Sequence, residues 1–306
     1  MAASAVRQGF EAASRKHSAA TLPVRLYQVS EDTQQIIAAY RQAVAAGATL
    51  VVGPLTRDGV TALAQTDLLT VPTLALNVPE RATPDRSKLF VLSLQVESEA
   101  RQVARLALRE GRRKAFTVTD HTALGKRMRD AFAEEFSRGG GYAIADYAYA
   151  TDSAALDRLR QAANLGVADM VFLAVDAARA RSVAPYLSTL PAYGTSQLNP
   201  GELAARTYVD VGETRFVDMP WMLQADHPAV MIYSRAGHRE ADDLERLYAL
   251  GIDAFRVALE LLAGKRDIDL DGVTGHLVLG PDRQVQRGLS VAIISGGKLT
   301  VLGENR

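Results

Sequence analysis

Apolar residues recur along the chain in two alternating rhythms. Short β-branched runs bounded by Pro or Gly predict strands at 24–29, 49–52, 71–76, 89–94, 115–119 and 169–175. Between them, apolar positions three and four apart predict helices. The stretch 33–46 puts Ile36, Ile37, Tyr40 and Val44 on one face and meets Gly47 as a stop. The stretch 98–110 repeats the design with Val103, Leu106 and Ala107 before Gly111, and 124–138, 154–164 and 177–187 continue the series. Strands separated by helices of this length are βαβ units, which predict parallel sheets with right-handed crossovers. The unbroken apolar run 170–175 fits a strand covered on both faces. The chain opens on an amphipathic helix, 3–15, with Val6 and Phe10 inward. An α/β lobe ordinarily opens on a strand, so a first strand upstream of this helix is expected to be missing.

The alternation breaks after Pro191. Residues 198–210 are weakly patterned, and 216–228 hold Trp221, the lone tryptophan, between two prolines. A long helix is predicted over 240–263 through Leu244, Leu247, Ala254, Val257, Leu261 and Leu262. Strands at 275–279, 286–295 and 298–302 close the chain, the last two joined at Gly296-Gly297, a tight-turn signal.

Length and composition narrow the class. At 306 residues the chain is long enough for two domains, and 48% hydrophobic with 23% charged residues is ordinary for a globular protein. Lys plus Arg equals Asp plus Glu at 35 each, so the basic excess that a nucleic-acid partner demands is absent. With no cysteine there is no disulfide or thiolate chemistry. No apolar run reaches the 18 residues or more of a membrane span.

Motifs for chemistry are missing. The five histidines lack metal-site spacing, and His238 with Glu240, Asp242 and Asp243 reads as the acidic first turn of the long helix. Neither phosphate-loop pattern occurs, and Gly139-Gly140-Gly141 ends a helix rather than opening one. Gly194-Thr195-Ser196 lacks the closing glycine of a nucleophile elbow, and adjacent Asp120 and His121 point apart. No catalytic residue, metal or cofactor is therefore expected. Polar residues do gather at the carboxyl ends of predicted strands, where open α/β sheets bind ligands. There stand Thr56, Arg57, Asn77, His121, Thr122, Asp176, Ser196 and Gln197, the ligand candidates. Thr56 and Asp176 fit equally as helix N-caps.

The order of elements resembles the type I periplasmic binding protein fold. Several segments resemble the LppC family of lipoproteins, whose characterised members are LpoA-type activators of penicillin-binding proteins. They are Val-Val-Gly-Pro-Leu-Thr (51–56), Val-Pro-Thr-Leu-Ala-Leu-Asn-Val-Pro-Glu (71–80), Leu-Ser-Leu-Gln-Val-Glu-Ser-Glu-Ala-Arg (92–101), Leu-Tyr-Ala-Leu-Gly-Ile-Asp-Ala-Phe-Arg (247–256) and Asp-Gly-Val-Thr-Gly-His-Leu-Val-Leu (271–279). The resemblance implies two Rossmann-like lobes, 1–94 with 229–281 and 95–228 with 282–306. Hinge crossovers would lie near 93–96, 222–228 and 281–285. It also implies a periplasmic, non-catalytic domain, tethered to the outer membrane by an N-terminal lipid that this chain does not carry. Its partner would be a class A, bifunctional penicillin-binding protein, and the absent strand would belong to the first lobe. The helical-repeat domain upstream in LpoA proteins is not in this sequence.

The alternative is a solute receptor of an ABC-type transporter, closing its inter-lobe cleft on an amino acid or small anion. Amino-acid receptors of this fold carry a Ser/Thr-rich loop after the third strand. Here that loop reads Leu55-Thr56-Arg57-Asp58, with a single hydroxyl and a charged pair, and Asp176 would have to hold the ligand amine.

Overall fold

The structure, a computed structural model, describes residues 1–17, 23–81, 87–120, 122–187, 190–199, 213–237, 242–296 and 298–304. They form two compact units, Met1–Leu94 with Ala225–Arg287 and Gln95–Gln224 with Gly288–Arg306. In chain order, unit one begins with α1 (Ala2–Lys16), α2 (Thr33–Ala45), β1 (Val51–Val52), α3 (Arg57–Ala64), β2 (Thr73–Ala75) and β3 (Leu89–Leu92). Unit two follows with α4 (Val96–Arg109), β4 (Lys114–Thr119), α5 (Ala123–Arg138), β5 (Tyr142–Ala148), α6 (Ser153–Asn164), β6 (Met170–Ala174) and α7 (Ala177–Val183). It continues through β7 (Ala192–Gly194), β8 (Thr214–Asp218) and the turn α8 (Pro220–Leu223). Unit one resumes with α9 (Pro228–Met231), α10 (Asp242–Leu262), β9 (Asp269–Asp271), β10 (His276–Leu279) and β11 (Gln284–Gly288). Unit two ends with β12 (Ser290–Ser295) and β13 (Lys298–Glu304).

Unit one's sheet has the order β1-β2-β3-β11-β10-β9, parallel from β1 through β11. Alternation along its strands sorts the core into two layers. Leu74 and Leu92 pack with Leu250, Val257 and Leu261 of α10, whereas Ala75, Leu89 and Val91 pack with Val60 and Ala64 of α3. Helix α1 lies against α10 at backbone distance. A Cβ on Gly9 would stand 1.9 Å from the Tyr248 carbonyl oxygen, and one on Gly251 would stand 1.9 Å from that of Val6. Asp253 of α10 is fully buried. Its carboxylate accepts from the Val273 and Thr274 amides and the Thr274 hydroxyl, with Arg256 at 3.3 Å.

Unit two's sheet has the order β13-β12-β8-β7-β6-β4-β5, parallel from β8 to β5 and antiparallel at β8-β12-β13. Phe116, Val118, Val171, Leu173 and Val175 share a core with Leu159 and Val183, while Phe172 stacks on Phe132 of α5 with centroids 4.1 Å apart.

The α/β class and parallel sheets agree with the sequence reading, and two expectations need correction. Residues 24–29 form no strand. They make no backbone–backbone hydrogen bond among the described residues, and Val24, Leu26 and Val29 are 55, 58 and 43% exposed. A strand is a property of a ladder, and an apolar run alone cannot supply the partner. The single strand expected over 286–295 is two: β11 joins β3 in unit one, and β12 joins β8 in unit two, because the chain passes between units after Arg287. Strands β5, β7, β8 and β9 went unread, β5 because at the edge of the sheet its burial pattern is weak. The expected residues 238–241 and most of 198–210 lie outside the described residues.

Candidate functional site

Most of the described strand-end candidates sit where a strand hands over to a helix, and their local geometry shows what their polar atoms already hold. In unit one, β1 leads into a loop pinned to β2, with Gly53 N–H donating to Leu74 O at 2.8 Å and Leu76 N–H to Pro54 O at 2.9 Å. Thr56 is the N-cap of α3, its hydroxyl oxygen accepting from Gly59 N–H at 3.2 Å. Arg57 is the first helical residue and half-buried. Asn77, at the end of β2, donates from Nδ2 to Leu55 O at 3.0 Å and accepts from Val78 N–H. Thr56 and Asn77 thus brace one loop from two sides.

In unit two, β4, β6 and β7 are neighbours, so their carboxyl ends lie side by side. Thr122 caps α5, accepting from Gly125 N–H at 3.0 Å and donating to Asp120. Asp176 caps α7, accepting from Arg179 N–H at 2.8 Å and ion-pairing with that guanidinium. The Arg179 guanidinium also lies 3.9 Å from Asp120 and 5.7 Å from the centre of the Tyr149 ring. Ser196 is buried, its amide donating to Glu99 Oε2 at 3.1 Å, and Gln197 N–H reaches Thr195 Oγ1 at 3.4 Å. His121 lies outside the described residues.

The structure therefore gathers Thr122 and Asp176 around Arg179, Thr56 and Asn77 around one loop, and leaves Ser196 and Gln197 in a separate turn. Arg179, Tyr149 and Glu99 were missed. The Asp176–Arg179 spacing of three residues was the available signal, since it places both in the first turn of a helix. Two carboxylates around one arginine, both already hydrogen-bonded to their own chain, hold charge in place rather than transfer protons. Among the described residues no group of three or more His, Asp or Glu is placed to hold a metal ion, and no helix is long and apolar enough to cross a membrane.

A second polar cluster lies at β7 and β8. Tyr193 is buried, donates its hydroxyl to Glu110 and accepts from Arg112 Nε at 3.4 Å, while Arg215 pairs with Glu110 at 3.1 Å and Glu213 at 2.7 Å. Burial first, then the Glu110 hydrogen bond, push the Tyr193 phenol up to about 12. A phenol so held stays protonated at neutral pH and acts as a structural donor.

Comparison with known proteins adds the context. A family model described as "LppC putative lipoprotein" matches residues 1–294. "Penicillin-binding protein activator LpoA" of Klebsiella pneumoniae subsp. pneumoniae is 28% identical over 305 residues, covering 87% of this chain and 43% of that protein. The protein of the same name from Photobacterium profundum is 22% identical, covering 98% of this chain and 54% of that protein. The chain thus spans about half the length of the curated relatives it matches. Among solved structures, one from Chromobacterium violaceum described as "a putative branched-chain amino acid ABC transporter" is 42% identical with a TM-score of 0.81, covering 95% of this chain and 93% of that one. The Haemophilus influenzae "LpoA (YraM) C-domain", described as "a regulator of PBP1A", is 19% identical with a TM-score of 0.80, covering 98% of this chain and 94% of that one. That likeness shows the fold.

Proposed function

The chain belongs to the LppC family of lipoproteins, and from that premise we propose that it is a non-catalytic periplasmic domain that binds a class A penicillin-binding protein and raises its synthesis of peptidoglycan. The observation that carries this reading is the family match over residues 1–294, together with relatives named for that role. The strand-end geometry agrees with it: Thr56, Thr122 and Asp176 serve as helix caps, so the polar ends stabilise the scaffold and leave the outer surface for recognition. An N-terminal lipid, as the family description implies, would hold the domain at the outer membrane. The test is glycan polymerisation from lipid II by the organism's class A synthase, with and without the full-length protein. A several-fold rise together with direct binding is the expected result, and neither appearing would overturn the reading.

One observation favours a second reading, the 42% identical chain described as a transporter component. A receptor for a branched-chain amino acid would need Asp176 for the ligand amine, yet that carboxylate already faces Arg179. This geometry supports the first reading over the second.

A further inference from the structure

We propose that the outer edge of unit two, made of β5 and the groove between it and α6, receives an extended segment of the partner protein, placing an apolar side chain in the groove and a carboxylate on Arg158. The proposal rests on the functional reading above and names the surface through which it would act.

Strand β5 is the last strand in its sheet and seven residues long. Its register against β4 is set by Tyr149 N–H donating to Thr119 O at 2.8 Å, with Ala148 opposite Thr119. In a parallel ladder, alternate residues turn their N–H and C=O groups the other way. Asp146 and Ala148, both exposed, therefore present their backbone groups along the outer edge. Sheet edges are ordinarily blunted by charged side chains, Pro or a bulge. This strand carries no Pro or Lys, its one charge, Asp146, is engaged by Thr117, Thr119 and Arg129, and its irregularity falls between the partners of Ala115 and Phe116, leaving Ala145–Ala148 regular.

Beside the same run lies a groove of about 230 Å³, whose lining includes Tyr147, Tyr149, Leu156, Arg158, Leu159 and Val183. That is below the roughly 300–1,000 Å³ of small-molecule sites and suits one side chain. Tyr149 is held in place by the Ser182 hydroxyl at 3.1 Å and the overlying Arg179, so its wall is preorganised. The charge at the rim selects the occupant. Asp146 is engaged by Thr117, Thr119 and Arg129, and Asp152 caps α6 through Ala155 N–H. Arg158 is exposed and has no ion pair among the described residues, which favours a carboxylate on the incoming strand. Main-chain pairing along an edge with side chains in an adjacent groove is the strand-addition mode of peptide recognition.

The experiment measures binding of the purified class A penicillin-binding protein of the same organism to the full-length protein by biolayer interferometry. Ala148→Pro removes an outward N–H and no bond to β4, Arg158→Glu reverses the rim charge, and Arg158→Lys keeps it. Loss of about tenfold or more in affinity for the first two, with Arg158→Lys near the parent, is expected. Parent-like affinity in both Ala148→Pro and Arg158→Glu overturns the edge site while the functional reading stands. Absence of binding by the parent protein overturns the functional reading, and the edge site falls with it. Circular dichroism checks that each variant folds, and Arg158→Glu, a helix-surface change, decides the matter if Ala148→Pro does not.

Discussion

Asp253 shows how one side chain fixes several elements at once. Its carboxylate takes three hydrogen bonds from the turn before β10 and faces Arg256, all in the interior of unit one. Asp253→Ala strands those donors and an arginine together, and a loss of about 3–5 kcal/mol is expected in urea unfolding followed by circular dichroism. Asp146 offers a pH test. Burial alone would raise its carboxyl, but hydrogen bonds from Thr117, Arg129 and Thr119 outweigh that and hold it below the usual carboxylate value of 3.8. A group depressed in the folded state contributes stability that is complete above its unfolded pKa and lost as pH falls through the folded one. The thermal midpoint of the parent should therefore decline as acid is added below about pH 4, and Asp146→Asn should flatten that part of the curve. Equal slopes for the two proteins would sink the assignment. At this scale the sequence was half legible. Thr56 and Asp176 could be read as caps from residue type and position, whereas the Arg179 charge shared by Asp120 and Asp176 joins two separate strand ends and has no local signature.

At the scale of elements, the α1–α10 crossing is the sharpest case. Glycine within a helix ordinarily costs about 0.5–1 kcal/mol relative to alanine, so Gly9→Ala or Gly251→Ala would stabilise an isolated helix. Here each new methyl would meet a carbonyl oxygen of the other helix at 1.9 Å. Overpacking of this kind costs about 1–3 kcal/mol or more and outweighs the propensity gain. Both variants should lower the thermal midpoint, and a rise in either would refute the close crossing. Helices were legible from apolar spacing, and their observed limits differ by a residue or two at most ends. The strands were less so. Residues 24–29 have the composition of a strand and lack a partner, whereas Tyr142–Ala148 has a partner on one side and an unremarkable pattern.

The passages of the chain between its two units belong to the scale of the whole molecule. Arg287, buried, donates to Ser93 O at 2.9 Å and Thr274 O at 3.0 Å, which ties the ends of two unit-one segments where the chain leaves. On the unit-two side the Ser290 hydroxyl donates to Gln224 Oε1 at 2.6 Å. The two functional readings separate most cleanly by ligand response. A receptor held at 100 times the dissociation constant of its ligand gains about 2.7 kcal/mol, a rise of several degrees at roughly 2–4 °C per kcal/mol. Leucine, isoleucine and valine should leave the melting curve unmoved if the domain acts through its surface. A shift of several degrees with any of them would transfer the function to solute capture.

What the sequence determined by itself is what rests on local periodicity and chemistry: an α/β chain, helices with their inward faces, strand ends that cap helices, and the segments shared with the LppC family. The tertiary structure decided what depends on partners distant in the chain. It split 284–295 between two sheets, denied a ladder to 24–29, left β5 as an open edge, and joined Asp120 to Arg179 and Asp146 to Arg129. The physical reason is common to all four. A hydrogen-bonded ladder or an ion pair is formed by two segments at once, and only folding determines which second segment arrives.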